Sequence, residues 1–78
     1  MLDKTELKNI FSDVLGIKSK GVTIPYAKSY AEEGLSMLNY DYSDHSLKIQ
    51  LMYIRSNLSY YRGPDAKKLK ARINKLIK

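Results

Sequence analysis

The chain has 78 residues, too few for two hydrophobic cores, so we expect a single helical domain spanning residues 1–78. Its hydrophobic fraction of 44% and charged fraction of 28% are close to those of an ordinary globular protein, which argues against the disordered and fibrous classes. It contains no cysteine, which excludes disulfides, thiolate catalysis and cysteine-ligated zinc, and is typical of a reducing compartment.

The sequence carries no targeting or membrane signal. Its first residues are charged and lead into an amphipathic stretch, whereas a signal peptide needs an unbroken apolar run. No segment approaches the roughly 20 apolar residues that cross a bilayer. We therefore expect a cytoplasmic protein that does not contact membranes.

The formal net charge of +6 is concentrated at one end of the chain. Residues 1–61 contain seven basic and seven acidic side chains, whereas residues 62–78 contain seven basic side chains and one acid, Asp65. The whole positive excess therefore lies in the last segment, and this asymmetry favours an anionic partner.

Four amphipathic helices are predicted, over approximately residues 3–15, 25–38, 44–62 and 65–77. The first starts with the capping-box spacing of Asp3 and Glu6 and should end at Gly16 in a left-handed conformation. Pro25 suits the first turn of the second helix, where its missing amide hydrogen would be unpaired anyway. Small residues at the centre of that helix, including Gly34, should let another helix approach closely.

The third predicted helix is apolar on two sides. One stripe follows the spacing of a helical seam and contains Leu47, Leu51, Ile54, Leu58 and Tyr61. A second stripe lies roughly opposite and contains Ile49, Met52, Tyr53, Ser56 and Tyr60. A helix of this kind is usually central and buried. Its two neighbours would come either both from this chain or one from a partner.

A basic fourth helix completes the predicted fold, which is all-α, a compact bundle of about four helices. Gly63, Pro64 and Asp65 are suited to end the third helix and start the fourth. One side of the fourth helix is apolar, and the opposite side and the flanks are basic. Apart from Lys68, which has Asp65 three residues before it, these helix bases lack acidic partners three or four residues away, so they repel one another and would gain from contact with a polyanion.

Residues 54–66, with the sequence IRSNLSYYRGPDA, lead into Lys68-Leu69-Lys70. This segment resembles small uncharacterised proteins encoded by phages and prophages of Gram-positive bacteria, in which an Asn-Leu-x-Tyr-aromatic-Arg-Gly-x-x-Ala pattern precedes a basic helix. The similarity covers the last third of the chain and extends more weakly over residues 25–38. Tyr61 stands where those proteins often carry Trp. The resemblance implies expression inside a bacterial host, where such proteins commonly bind host proteins or nucleic acid.

The main predicted binding surface for nucleic acid or another anionic partner consists of Tyr60, Arg62, Lys67, Lys68, Lys70, Arg72 and Lys75. Lysine contacts to phosphate position a protein without reading bases, so we predict weakly sequence-specific binding of nucleic acid. An acidic protein surface and an ordinary solvated helix face stay open as alternatives. A DNA-reading helix-turn-helix is not favoured, because Lys67 and Lys68 stand where base readers usually offer Arg, Asn, Gln or Ser.

A second hypothesis is a protein-interaction module, which would act as an inhibitor or modulator of a host or defence protein or would form a homodimer. Its interface would be the second stripe of the third helix, with Ile49, Met52, Tyr53 and Tyr60. The seven tyrosines suit both hypotheses, since tyrosine serves interface hot spots and stacks on unpaired bases. Most of them fit core or boundary positions, and those expected to be available are Tyr40, Tyr42 and Tyr60.

No catalytic, metal or cofactor site is predicted. His45 with Asp41 and Asp44 could ligate a metal, but acids at a helix start are better explained by capping and by the positive end of the helix dipole. The single histidine has no nucleophile at a motif spacing, and there is no glycine-rich phosphate loop. We therefore expect a non-enzymatic protein that uses no cofactor.

Overall fold

The computed structural model describes residues 2–77 and contains, within them, four helices. They are α1 (Lys4–Leu15), α2 (Ile24–Met37), α3 (Asp44–Ser56) and α4 (Pro64–Ile77). Each helix packs on the next, and α4 packs back on α1, so the four helices close into a ring around one core. The radius of gyration of 11.4 Å is close to the value expected for a single folded domain of this length. The prediction of an all-α four-helix bundle is confirmed.

The core consists of side chains from the inner faces of all four helices, as their apolar stripes predict. Its largest fully buried side chain is Phe11 of α1. A β-carbon on Gly34 of α2 would lie 2.6 Å from Cζ of Phe11, so the ring fills the space that a side chain would need. The small residues of α2 thus allow the close approach of α1, as predicted.

The two ends of α1 differ in how well the sequence predicts them. Asp3 caps the helix as expected, because its Oδ1 accepts hydrogen bonds from the backbone N–H groups of Thr5 at 2.9 Å and Glu6 at 3.3 Å. The predicted left-handed ending at Gly16 is wrong, since Gly16 has a φ of −84°. Within residues 2–77, the glycine with a positive φ is Gly63, at +110°, immediately before α4.

The third helix ends at Ser56 and not near residue 62 as predicted. Asn57 caps the end of the helix. Its backbone N–H still donates to the carbonyl of Tyr53 at 3.2 Å, as does its Nδ2 at 2.8 Å, whereas its own carbonyl accepts from Oγ1 of Thr23 at 2.7 Å. Leu58 still turns into the core with 0% exposure, which explains why the apolar spacing continues past the helix end. Tyr60 and the residues up to Gly63 therefore lie in an irregular segment.

Candidate anion-binding site at one end of the bundle

Two loops meet at one end of the bundle. Residues 16–23 join α1 to α2, and residues 57–63 join α3 to α4. Oγ1 of Thr23 donates to the carbonyl of Asn57, and a β-carbon on Gly21 would lie 2.9 Å from Cβ of Tyr60. The first loop therefore lies directly against the second.

These two loops and the first turns of α4 carry five exposed cations, which are Lys18, Lys20, Arg62, Lys67 and Lys68. In residues 16–23 and 57–68 there is one acid, Asp65. Within residues 2–77, the ion pairs with N to O distances up to 4.0 Å are the two formed by Arg72. Neither of them involves any of the five cations. We call the surface formed by these five cations and Tyr60 the basic end.

The sequence prediction does not include Lys18 and Lys20. Both lie in the part of the chain whose charges balance, and the contact between Gly21 and Tyr60 is what brings their loop to the segment that contains Arg62. The Lys-Ser-Lys alternation is typical of an exposed loop. Nothing in it indicates which other loop lies against it.

Arg72 is engaged within the fold. Its Nε donates to Oε1 of Glu6 at 3.0 Å and its Nη1 donates to Oδ2 of Asp13 at 2.7 Å, so α4 is tied to two positions on α1. The hydrogen bond to Asp13 and then that to Glu6 raise the pKa of Arg72 above its usual value, and the guanidinium stays charged at every accessible pH. The predicted unneutralised face is wrong for Arg72, because the fold brings two carboxylates from the other end of the sequence.

Two further predicted cations are not counted among the five of the basic end, because Lys70 is hydrogen-bonded within the fold and Lys75 lies further along α4. Lys70 is partly buried and its Nζ donates to the carbonyl of Tyr61 at 2.9 Å, so its charge lies beside the segment that carries Tyr60 and Arg62. Lys75 is exposed, but it lies roughly 12 Å further along α4 than Lys67, at 1.5 Å per residue. It borders a shallow depression that is also lined by Asp3.

Tyr60 is the aromatic residue of the basic end. It is 57% exposed, whereas the neighbouring Tyr61 packs partly buried against the core. The N–H of Tyr61 donates to the carbonyl of Leu58 at 2.9 Å, and its carbonyl accepts from Lys70. The backbone that carries Tyr60 is therefore held in place while its ring faces solvent.

The second predicted stripe is largely open to solvent. Met52 is 42% exposed and Tyr53 is 49% exposed, whereas Ile49 is half-buried. The ring of Tyr53 stacks on Tyr30 of α2, with ring centroids 5.2 Å apart. The expectation of a helix buried on both sides is therefore wrong for this side of α3. Tyr60 does not continue the stripe, because α3 ends before it.

Asp44 and His45 begin α3 and Asp41 lies in the turn before it, at the end of the bundle opposite the basic end. Ser43 is the residue that caps α3, and Oδ2 of Asp44 accepts from the backbone N–H of Leu2 at 3.3 Å. Across residues 2–77, no three His, Cys, Asp or Glu side chains are grouped so that they could hold a metal ion. None of the helices in that part of the chain is both long enough and apolar enough to cross a membrane.

Comparison of the chain with protein-family models, with curated proteins and with solved structures finds no match in any of the three. The basic end and the stripe on α3 are therefore the features of the molecule that point to a function.

Proposed function

We propose that the chain is a small non-enzymatic binding module of a phage or similar mobile element, and that its basic end contacts an anionic partner, with nucleic acid favoured. The observation that carries the proposal is a group of five exposed cations on two adjoining loops and the first turns of α4, together with one exposed tyrosine, with no ion pair to any of them among residues 2–77. A polyanion would relieve their mutual repulsion and would release its own counterions.

The same proposal places the protein inside a bacterial cell. The resemblance of residues 54–66 to proteins encoded by phages and prophages supports this location. A bacterial cytoplasm offers DNA and RNA as abundant polyanions, and an acidic protein surface is the other class of partner that the charge would suit.

Binding should depend little on base sequence. Asn74 and Arg72 are the side chains of α4 best suited to read base edges. Oδ1 of Asn74 accepts from Nη1 of Arg55 at 2.7 Å, and Arg72 pairs with two carboxylates of α1. Lys67 and Lys68 would contact phosphates, which position a protein without specifying a sequence.

The test is a fluorescence-anisotropy titration of a short labelled oligonucleotide, single-stranded or duplex, over a range of salt concentrations. We expect the logarithm of the affinity to fall linearly with the logarithm of salt concentration. Replacing Lys67→Gln together with Lys68→Gln should make that slope shallower by about 1.4 to 1.8. The matched control, Lys4→Gln with Lys8→Gln, removes the same charge from exposed positions of α1 and should leave the slope unchanged.

The outcomes separate the two classes of anionic partner. Absence of any salt-dependent binding at low ionic strength would rule out nucleic acid. Binding of polyglutamate as tightly as the oligonucleotide would favour an acidic protein surface.

A protein-interaction role is the second candidate, and the exposure of the stripe on α3 favours it. Met52 and Tyr53 are exposed beside half-buried Ile49, and Tyr26 on α2 is 62% exposed. Clustered apolar surface of this kind often marks a protein interface. Light scattering after size exclusion, over a range of protein concentrations, tests for a homodimer.

A dimer formed through this stripe should dissociate in the Met52→Glu variant. The control Asn9→Glu makes the same charge change at an exposed position of α1 and should leave the dimer intact. A monomer at every concentration would exclude the homodimer. Capture of one host protein by the parent chain and not by Met52→Glu would then support a modulator of a host or defence protein.

A further inference from the structure

We infer that the basic end binds single-stranded nucleic acid and that an unpaired base stacks on Tyr60; this inference rests on the proposed function. It is carried by the juxtaposition of Tyr60 with Gly21, where a β-carbon on Gly21 would lie 2.9 Å from Cβ of Tyr60. Lys18 and Lys20 precede this contact in one loop, and Arg62 follows it in the other. Exposed cations therefore lie within three residues of this contact on both loops, after Tyr60 in one and before Gly21 in the other.

The ring of Tyr60 is exposed on a backbone that other contacts hold in place. Leu58 is 0% exposed, and its carbonyl accepts from the N–H of Tyr61 at 2.9 Å. The carbonyl of Tyr61 accepts from Nζ of Lys70 at 2.9 Å, which fixes the chain on the other side of Tyr60. A stacked base would cover the face that Tyr60 leaves in water, and every base has a face that can do so.

The form of the basic end favours a flexible strand over a duplex. A duplex is usually read by an element that lies in its major groove and offers side chains to base edges. Here the cations come from two loops and the first turns of α4, and α4 starts with exposed Asp65, whose carboxylate disfavours phosphate at the helix start. A single strand can bend so that its phosphates reach both loops while a base covers Tyr60. The bases of a duplex are already stacked on one another.

The other exposed tyrosines outside the helices lack this combination. Tyr40 and Tyr42 are 67% and 47% exposed, and their rings meet edge to face with centroids 6.5 Å apart. They flank Asp41, and residues 38–43 contain no Lys or Arg. That turn lies at the opposite end of the bundle. Tyr40 therefore supplies a matched control for Tyr60.

The experiment compares three labelled ligands at one salt concentration: a single strand, the duplex of the same sequence and an abasic strand with the same number of phosphates. We expect the single strand to bind about tenfold more tightly than the abasic strand, the difference typical of one stacked base. Tyr60→Leu should weaken binding of the single strand about tenfold and leave its salt slope unchanged. Tyr60→Phe, which keeps the ring, and Tyr40→Leu should both bind as the parent does.

The loop that precedes α2 has its own test. Lys18→Gln with Lys20→Gln should make the salt slope for the single strand shallower by about 1.4, because two phosphate contacts are lost. An unchanged slope would remove this loop from the binding surface. Circular dichroism of every variant verifies that the helices remain.

The inference and the proposed function fail in different ways. If none of the three ligands binds at low salt, both are overturned. If the duplex and the abasic strand bind as tightly as the single strand, or if Tyr60→Leu binds as the parent does, base stacking is overturned and the charge-based proposal stands. Loss of affinity in Tyr60→Leu confined to the base-containing single strand supports the inference.

Discussion

Gly21 and Tyr60 are in van der Waals contact where the two loops of the basic end meet, and a β-carbon on Gly21 would lie 2.9 Å from Cβ of Tyr60. The same β-carbon would lie 3.1 Å from Cγ1 of Ile24, which is 2% exposed. The contact holds the loop before α2 against the segment after α3. It therefore determines how close Lys18 and Lys20 lie to the cations that follow Tyr60.

Gly21→Ala should separate the two loops. Cβ of Tyr60 is attached to the backbone and cannot rotate away, so the added methyl group must displace one of the loops. We expect a destabilisation of about 1–3 kcal/mol, the usual cost of overpacking, measured by urea denaturation. Affinity for a polyanion should also fall, because the loops of the basic end are moved apart.

Ser19→Ala changes an exposed residue of the same loop, and its free energy of unfolding should stay within about 0.5 kcal/mol of that of the parent. Equal stability of the two variants would contradict the observed contact.

Gly34→Ala should destabilise the bundle although alanine favours a helix. The gain in helix propensity is about 1 kcal/mol. It is opposed by the ring of Phe11, which is fully buried and has three atoms within 2.8 Å of the new β-carbon. Overpacking usually costs about 1–3 kcal/mol, so we expect a net loss of about 1 kcal/mol, measured by thermal or urea denaturation.

A second substitution distinguishes the Phe11 contact from other effects of Gly34→Ala. Phe11→Leu makes room for the new methyl group, so the double variant should lose less than the sum of the two single losses. Ser29→Ala, at an exposed position of the same helix, should not be destabilised. Strict additivity of Gly34→Ala and Phe11→Leu would mean that the ring is not the obstacle.

Arg72→Met should destabilise the fold by about 1 kcal/mol, because it removes two ion pairs that are each about one third or more exposed. The loss stays modest because Glu6 and Asp13 remain solvated when their partner is gone. The difference in the free energy of unfolding between the parent and Arg72→Met should shrink between 0.1 M and 1 M salt, because the screening length falls from about 10 Å to about 3 Å.

Lys67→Met, which removes a charge that is not in an ion pair within residues 2–77, should have little effect on stability. A double-mutant cycle of Arg72→Met with Asp13→Asn that shows no coupling would exclude the observed pair as a source of stability.

Gln50 lies between α2 and α3 with 6% of its surface exposed. Its Nε2 donates to the carbonyl of Tyr30 at 2.7 Å and lies 3.5 Å from Oε2 of Glu33. Gln50→Leu removes this hydrogen bond and should cost about 1 kcal/mol. Gln50→Glu places a carboxylate against two acceptor oxygens and should cost about 2 kcal/mol or more at neutral pH.

The difference in the free energy of unfolding between Gln50→Leu and Gln50→Glu should depend on pH. Burial and the nearby Glu33 raise the pKa of the introduced carboxyl above its ordinary value of about 4.3. Its destabilising effect is therefore present above that ordinary value and disappears as the pH falls and the group is protonated. Urea denaturation at pH 7 and pH 4 should show the gap narrowing at the lower pH. A gap that does not change with pH would contradict the position of Gln50 beside Glu33.

The helices could be predicted from the sequence because the signals that form them are local. The Asp3 cap, the position of Pro25 and the periodic apolar residues each act within a few turns of the chain. The sequence does not predict the end of α3, because the carbonyl of Asn57 accepts from Thr23, a residue of another loop. The apolar spacing through Leu58 is the same whether that residue lies on a helix or in a turn.

The sequence by itself determined the fold class, the inner faces of the helices and the excess of positive charge in the last segment, because period and composition are properties of the chain before it folds. The tertiary structure decided which of those charges are available. Arg72 is paired with two carboxylates of α1, whereas Lys18 and Lys20 join Arg62 through the contact of Gly21 with Tyr60. Ion pairing and clustering depend on distances of a few ångströms between residues that are far apart in sequence, and folding alone establishes those distances.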